Sequence, residues 1–349
     1  MSIKNLTLPS HQELKEVLSV LERYDVAAVG TNIFRNTIGF VNKTFVIEAG
    51  NKKFVLRESS LATVPEHLEL EVEVLGFLEE KSYKLSPRLL TNKHGHYITY
   101  HNDRFYTLQT FVPGEIKASW NDLEHLTSCM LESFFRCSAE FTKTVQGFKP
   151  RREYANLPLT HYVKHGRKLL KSFLEKLPVS EGKKLLAECL PQLLHFSEQT
   201  NKELVKINYD VFPKQLVHFD LHPGNVHFVG EEVVGLFDFD WVRFDFRISD
   251  LAATIGQSCY IFGGEKSGLY IKEKVSAGLE AYREAYGQSE FDERKENHFI
   301  KVALKGYMFF QLLWVVDWYR ENCKSPDGVF NLRHFINTCL LNDYEKLFS

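Results

Sequence analysis

Hydrophobic positions near the start of the chain first follow a helix period and then a strand period. Residues 10–24 place leucine or valine at positions 14, 17, 18 and 21, the spacing of an amphipathic helix that Ser10 can cap. Strand-like apolar runs follow, separated by turn residues. These runs cover 26–34, 43–50, 52–59 and two strands within 96–112, with a second helix pattern over 65–80. The first third of the chain therefore predicts an antiparallel sheet with two helices.

Beyond residue 113 the apolar positions recur mainly at helical spacing. The predicted helices cover 120–146, 157–176, 180–206, 250–260, 269–286, 293–322 and 332–347. A set of aromatic residues in the sixth of these is spaced as a core face: Phe309, Phe310, Trp314, Trp318 and Tyr319. We expect an α+β protein with a sheet-containing region, 1–113, and a helical region, 114–349.

One non-helical stretch in the second region, 216–252, concentrates polar residues with chemical potential. Strands at 226–229 and 233–237 would place Asn225 and Asp238 at the same end of a hairpin. Two oxygen ligands at that end can share a hard cation such as Mg²⁺. Asp220 is not needed as a ligand, and an acid beside metal-bound phosphate is suited to accept a proton from a hydroxyl. The alternative is that these acids only cap turns around Pro223 and Gly224.

The order His218, Asp220, Asn225 and Asp238 resembles the catalytic signature of the aminoglycoside phosphotransferase and choline kinase superfamily, the small-molecule relatives of protein kinases. The trailing 249–252 (Ser-Asp-Leu-Ala) resembles the start of the family's next helix. The resemblance implies a protein kinase-like bilobal fold, with ATP and Mg²⁺ as cofactors. It also implies Asp220 as catalytic base, Asn225 and Asp238 as metal ligands, and His218 as structural support.

The predicted ATP-binding region carries weaker matches to the same superfamily. Gly39 and Asn42 lie in GFVNKTF, which resembles the phosphate-cradling hairpin of homoserine kinase-like members. Arg57 stands where most relatives carry a phosphate-contacting lysine, and the alternative is a solvent-facing strand residue. Its expected acidic partner is Glu71, with Glu69 and Glu73 as solvent-facing acids on the same helix.

Two further contacts rest on the resemblance or on charge. By analogy with the family, adenine is expected to bond to backbone groups near Thr110 and Val112. Asp240 follows Asp238 by two residues, so an extended segment would point both carboxylates to one side. A second acid there requires a cation, which would be a metal or an ammonium group of the substrate. The alternative is an ion pair between Asp240 and Arg243 or Arg247.

These features predict a kinase that phosphorylates a hydroxyl of a small metabolite. Amino alcohols, homoserine, amino sugars and sugars remain open as acceptors, because the wording DLHPGN differs from the Asp-Leu-Phe-x-Asp-Asn usual in homoserine kinases. The alternative is a catalytically silent kinase-fold protein that binds nucleotide or has a structural role. Such proteins lose the base or a metal ligand, whereas this chain keeps both.

Composition and charge indicate the compartment and the kinds of partner to expect. The 349 residues carry a net charge of −2 with a pI of about 6.7, so no nucleic-acid partner is expected. The longest apolar stretch, 307–319, is interrupted and short for a bilayer, and the N-terminal residues lack a signal-peptide core. Six dispersed cysteines indicate reduced core residues. We expect a cytoplasmic protein without a membrane partner, and the sequence leaves its oligomeric state open.

Overall fold

The computed structural model describes residues 6–26, 31–37, 42–59, 65–119, 121–154, 157–287 and 289–348. The chain forms two compact units, each described by itself. Unit 1 comprises Met1–Lys117, Phe148–Tyr154 and Asn225–Asp240, and unit 2 comprises Ala118–Gly147, Ala155–Gly224 and Trp241–Ser349.

The described part of unit 1 begins with a mainly antiparallel β region. Its elements are β1 (Leu6–Thr7), α1 (His11–Leu21), β2 (Thr31–Asn36), β3 (Lys43–Ala49), β4 (Lys52–Glu58), α2 (Pro65–Glu80), β5 (Leu89–Leu90), β6 (Ile98–His101) and β7 (Arg104–Thr110). The sheet order is β1-β2-β3-β4-β7-β5, with β6 beside β7. Every pair is antiparallel, as the sequence predicts.

The core of unit 1 forms where α1 meets the sheet. Buried side chains of α1, including Val17 and Leu21, join Phe45, Leu56 and Leu108 of the strands in one apolar cluster. The predicted cap is present, because the Ser10 hydroxyl accepts the N–H of Glu13. The short strands β1 and β5 were not predicted, since two residues are too few to carry a period.

Unit 2 is mainly helical. Its elements are α3 (Ser128–Thr144), α4 (Leu159–Lys164), α5 (Gly166–Lys176), α6 (Glu181–Lys206), β8 (Lys214–Val217), β11 (Arg243–Phe246), α7 (Ile248–Ser258), α8 (Lys272–Tyr286), α9 (Glu293–Asn322), α10 (Pro326–Leu340) and α11 (Tyr344–Leu347). The strands β8 and β11 pair antiparallel. Two strands of unit 1 complete the chain order, β9 (Val226–Val229) and β10 (Glu232–Leu236).

Two predicted helices of unit 2 are each divided. The prediction of one helix over 157–176 is wrong, since α4 and α5 are separated at His165. A Cβ on Gly166 would lie 2.2 Å from the Ser197 hydroxyl, so the glycine permits close packing at this break. The prediction over 332–347 is also wrong. The Asn342 amide donates to Thr338 O at 3.0 Å beyond the end of α10, and α11 begins two residues later.

Helix α9 is the centre of unit 2. Phe309, Phe310 and Tyr319 are buried, as the aromatic spacing predicts, while Trp314 and Trp318 are half-buried. Within the described part of the chain, α9 is the one helix long and apolar enough to cross a membrane. However, 89% of its most apolar window is buried inside the protein, as in the core helix of a soluble protein.

Candidate functional site

The hairpin of β9 and β10 in unit 1 brings Asn225 and Asp238 to one end. Val226 pairs with Leu236, and the N–H of Phe237 donates to the carbonyl of Asn225 at 3.0 Å. Asn225 precedes β9 directly and Asp238 follows β10 by two residues, so the sequence-predicted arrangement forms. Asp238 has φ of +64°, a left-handed conformation that aspartate tolerates better than most residues.

The donor chemistry at this end fits a hard divalent cation. Asn225 offers an amide oxygen, and the Asp238 side chain is 46% exposed. The described residues contain no group of three or more His, Cys, Asp or Glu side chains that could hold a metal. A cation held here would therefore take its other ligands from water or a substrate, as Mg²⁺ does when it binds phosphates.

Arg57 of β4 gathers three carboxylates within unit 1. Its guanidinium donates to Glu71, to Asp240 at 2.6 Å and to Asp238 at 3.1 Å. Burial acts to lower the pKa of Arg57, but the carboxylates outweigh it and hold that pKa well above its usual value. Burial raises the pKa of Glu71 to about 7, against the opposing effect of Arg57. The predicted Arg57–Glu71 pair is present, and the alternative of a solvent-facing Arg57 is wrong.

The other two acids of α2 have partners in the returning segment 148–154. Glu69 pairs with Arg152, while Glu73 accepts the Tyr154 hydroxyl at 2.7 Å and the Arg151 N–H at 2.9 Å. Sequence reasoning did not detect this segment, and it described Glu69 and Glu73 only as solvent-facing acids. The three acids thus have distinct roles, and only Glu71 turns toward Arg57.

Asp240 has a cationic partner that the sequence did not predict. Besides Arg57, it accepts a hydrogen bond from the amide of Asn42, the residue predicted to cradle phosphate. The predicted alternative partners are engaged elsewhere in unit 2. Arg243 donates to the carbonyls of Trp241 and Leu157, and Arg247 pairs with Glu290 and Glu296. Gly39, the other predicted cradle residue, lies outside the described residues.

Of the two residues predicted to contact adenine, Val112 lies beside a buried histidine. The N–H of Thr110 donates to Arg88 O at 2.8 Å, and Val112 O lies 2.9 Å from Nδ1 of His227. Because a carbonyl can only accept, Nδ1 carries the proton. Burial lowers the pKa of His227 to about 4, so the ring is neutral at pH 7. Sequence reasoning missed His227, although a polar residue inside the apolar run 226–229 was a possible signal.

In unit 2, Asp250 fixes the loop that carries Asp220. Its carboxylate accepts the backbone N–H of His218 at 2.8 Å and of Phe219 at 2.7 Å. Phe219 has φ of +66°, which costs about 1–2 kcal/mol for a residue of this kind. The two hydrogen bonds offset that strain. Burial raises the pKa of Asp250 to about 7, despite the stabilising effect of both N–H groups.

The side chains of His218 and Asp220 differ in exposure. The His218 ring is buried edge-on to Phe141, with ring centroids 5.8 Å apart, which agrees with a structural role. The Asp220 side chain is 22% exposed, with Oδ2 3.7 Å from Nε2 of His222. Burial lowers the pKa of His222, and its Nδ1 accepts the N–H of Gly224 at 3.0 Å. The neutral ring therefore carries its proton on Nε2, the nitrogen toward Asp220.

Gln257 of α7 contacts the Asp220 carboxylate directly. Its Nε2 donates to Oδ1 of Asp220 at 3.1 Å. Sequence reasoning did not single out this residue. A glutamine in a buried helix was the available signal, but its target lies 37 positions away.

The fold is of the protein kinase-like class that includes small-molecule phosphotransferases. The sequence model of the APH phosphotransferase enzyme family matches residues 35–295, and the chain belongs to that family. A homoserine kinase from Allorhizobium ampelinum is 35% identical over 104 residues, which cover 30% of this chain and 28% of that relative. The chain thus spans less than a third of the length of this curated relative.

Solved structures share the fold over almost the whole chain. An amicoumacin kinase, hAmiN, in complex with AMP-PNP and Ca²⁺ superposes with a TM-score of 0.69 at 14% identity, covering 97% of both chains. A microcompartment-associated aminopropanol kinase superposes with a TM-score of 0.68 at 17% identity, covering 93% of this chain and 95% of its own. At these identities the similarity concerns the fold alone.

Proposed function

We propose that this protein is an ATP- and Mg²⁺-dependent kinase that transfers the γ-phosphoryl group to a hydroxyl of a small metabolite. The observation that carries the proposal is the convergence of Asn225, Asp238 and the Arg57–Glu71 pair in unit 1. Family membership and the retention of Asp220 support it. Phosphoryl transfer requires mainly positioning and charge neutralisation from the protein, and these residue types supply both.

Each residue then has a defined task. Asp220 accepts the proton as the acceptor oxygen forms its bond to the γ-phosphorus and the bond to the β-phosphate oxygen breaks, which releases ADP. Asn225 and Asp238 would hold Mg²⁺, which neutralises phosphate charge when bound. The N–H of Thr110 is already bonded to Arg88, and the carbonyl of Val112 is already bonded to His227. Adenine would therefore bond to the carbonyl of Thr110 and the N–H of Val112.

The acceptor we favour carries an amine in addition to its hydroxyl. Homoserine and aminopropanol, the compounds in the names of a similar sequence and a similar structure, both have this chemistry. Asp240 no longer argues for it, because Arg57 supplies the cation that a second acid requires. Neutral sugars are therefore tested as a separate class.

Purified protein assayed for ADP release against a panel of amino alcohols, homoserine, amino sugars and neutral sugars tests the proposal. We expect Mg²⁺-dependent turnover of at least one amine-containing acceptor. Asp220→Asn should abolish turnover while leaving nucleotide affinity within a few-fold, because the base acts on the acceptor. Nucleotide binding without turnover of any acceptor would support the silent alternative instead.

Three further variants separate the roles in unit 1. Asp238→Ala should weaken Mg²⁺-dependent nucleotide binding, measured by calorimetry, more than Asn225→Ala, because it removes a formal charge. If Asp240 contacts a cationic acceptor, Asp240→Asn should raise the acceptor KM alone. If Asp240 instead anchors Arg57, the ATP KM should change. Equal Mg²⁺ dependence in wild type and Asp238→Ala would contradict the metal assignment.

A further inference from the structure

A chain of buried hydrogen bonds in unit 2 ends on the Asp220 carboxylate. Gln257 Nε2 donates to Asp220 Oδ1 at 3.1 Å and to the Tyr307 hydroxyl at 2.6 Å. Gln311, one turn further along α9, donates its Nε2 to the same hydroxyl at 2.6 Å. Tyr307 in turn donates to Phe219 O at 3.3 Å. The chain therefore contacts both Asp220 and the left-handed residue before it.

The direction of every bond in this chain is determined. A carboxylate only accepts, so Gln257 must present its N–H₂ group to Asp220. The Tyr307 oxygen receives hydrogen bonds from two amides, so its single proton points to the Phe219 carbonyl. Gln257 is thus held as a donor to one oxygen of the Asp220 side chain.

Burying the polar side chains of this hydrogen-bond chain costs stability. Tyr307 is fully buried, and Gln257 and Gln311 are 4% and 8% exposed. Buried polar groups lose stability unless they are hydrogen-bonded, and no fully buried polar atom of these three described side chains lacks a partner. Apolar residues would fill the same space at lower cost. The three polar residues therefore act on the segment at which the chain ends, namely the Asp220 carboxylate and the backbone of Phe219.

We propose that Gln257 is a positioning residue for Asp220, oriented by Tyr307 and Gln311. This inference rests on the proposed function, because it assigns Asp220 as the base. By holding one carboxylate oxygen of Asp220, Gln257 also fixes the direction in which the second oxygen points. Without it, the carboxylate can rotate away from the acceptor hydroxyl while the nucleotide is still bound.

The test compares Gln257→Leu with Ser258→Ala in the full-length protein. Ser258 is the next residue of α7, equally buried, and its hydroxyl donates to Thr254 O at 2.6 Å without contact to Asp220. We expect Gln257→Leu to lower kcat by about 10- to 100-fold, the range for a displaced catalytic group, with the ATP KM within about twofold. Ser258→Ala should leave kcat unchanged.

A second pair of variants removes a purely structural explanation. Tyr307→Phe should lower kcat in the wild type and much less in Gln257→Leu. Additive losses of kcat in the double variant Tyr307→Phe, Gln257→Leu would overturn the proposal.

Crystal structures of the wild type and Gln257→Leu provide a readout that needs no turnover. The Asp220 carboxylate should be ordered in the wild type and displaced in the variant. An unchanged Asp220 would overturn the inference even if no acceptor were found. Normal kcat in Gln257→Leu, with Asp220→Asn inactive, would overturn it while leaving the proposed kinase function intact.

Discussion

Replacement of Asp250 by asparagine should stabilise the protein above neutral pH while lowering its activity. The folded pKa of Asp250 is about 7, whereas an unfolded aspartate has a pKa of 3.8. An acid whose folded pKa is raised loses its stabilising effect as pH rises from the unfolded value to the folded one. The wild type should therefore lose about 3 kcal/mol relative to the variant between pH 5 and pH 8.

The amide has a cost of its own. Asparagine offers one acceptor oxygen, but the carboxylate binds two buried N–H groups, those of His218 and Phe219. Leaving one of them unsatisfied costs about 1–3 kcal/mol. At pH 8 ionising the buried acid costs about 4 kcal/mol, so Asp250→Asn should be about 1–3 kcal/mol more stable than the wild type. At pH 5 the two proteins should be nearly equal.

Activity should fall even where stability rises, because only one hydrogen bond then holds the strained loop before Asp220. We expect kcat to drop by about tenfold or more. The matched control is Asp245→Asn. Asp245 is also buried with a raised pKa, but it accepts the N–H of Leu159 at 2.7 Å at the start of α4. Asp245→Asn should show the same pH trend in stability and keep kcat.

Urea denaturation at pH 5, 6, 7 and 8, followed by tryptophan fluorescence, measures the stability difference. Turnover of the acceptor found in the panel measures the second effect. If Asp250→Asn is less stable than the wild type by the same amount at every pH, burial does not raise the pKa of Asp250. Equal losses of kcat in both variants would show that the effect is not specific to the loop.

Three other predictions concern packing, pH and charge. In thermal melts, Gly278→Ala should destabilise the protein by about 1–3 kcal/mol, because the added Cβ would lie 2.5 Å from the Phe135 ring. Gly76→Ala, in open space on α2, should stabilise it by about 0.5–1 kcal/mol. Burial lowers the pKa of His334 to about 3, so stability should fall by about 2 kcal/mol from pH 7 to pH 5 as the unfolded histidine takes up a proton, and His334→Asn should remove that part of the slope. Arg57→Met should destabilise by about 3 kcal/mol in urea at pH 8, because it leaves buried Glu71 without its cation, and an unchanged midpoint would contradict the ion-pair assignment.

The sequence predicted those parts of the candidate site that depend on local pattern. Asn225 and Asp238 flank two short apolar runs, so the hairpin alone brings them together. Glu71 was selected among three acids because it aligns best with the Glu-x-x-x-Leu of the family that the sequence resembles, and the structure places it on the buried face of α2. In both cases few residues separate the partners in sequence, so a local pattern was enough to indicate the contact.

Contacts between distant segments were not predictable in the same way. Asp240 meets Arg57 across 183 positions, and Gln257 meets Asp220 from another element. The segment 148–154 joins unit 1 although helical elements of unit 2 flank it in sequence. No periodicity reports such contacts. The break at His165 was equally hidden, because the apolar period continues through it. The close packing around Gly166, which accompanies the break, leaves no trace in that period.

The arginine at position 57 is best understood together with Asp240. A lysine, expected there from the family resemblance, is a compact charge on a flexible stem, whereas the guanidinium is a planar fork with five donors. Here the fork reaches Glu71 with one nitrogen and both Asp238 and Asp240 with another. Counting Glu71 as partly protonated near pH 7, the four side chains still carry an excess of negative charge. That excess is what a divalent cation at Asp238 would neutralise. The extra acid and the unusual cation therefore compensate each other, and the departure from lysine is compatible with the divalent cation and phosphate that the proposed function requires.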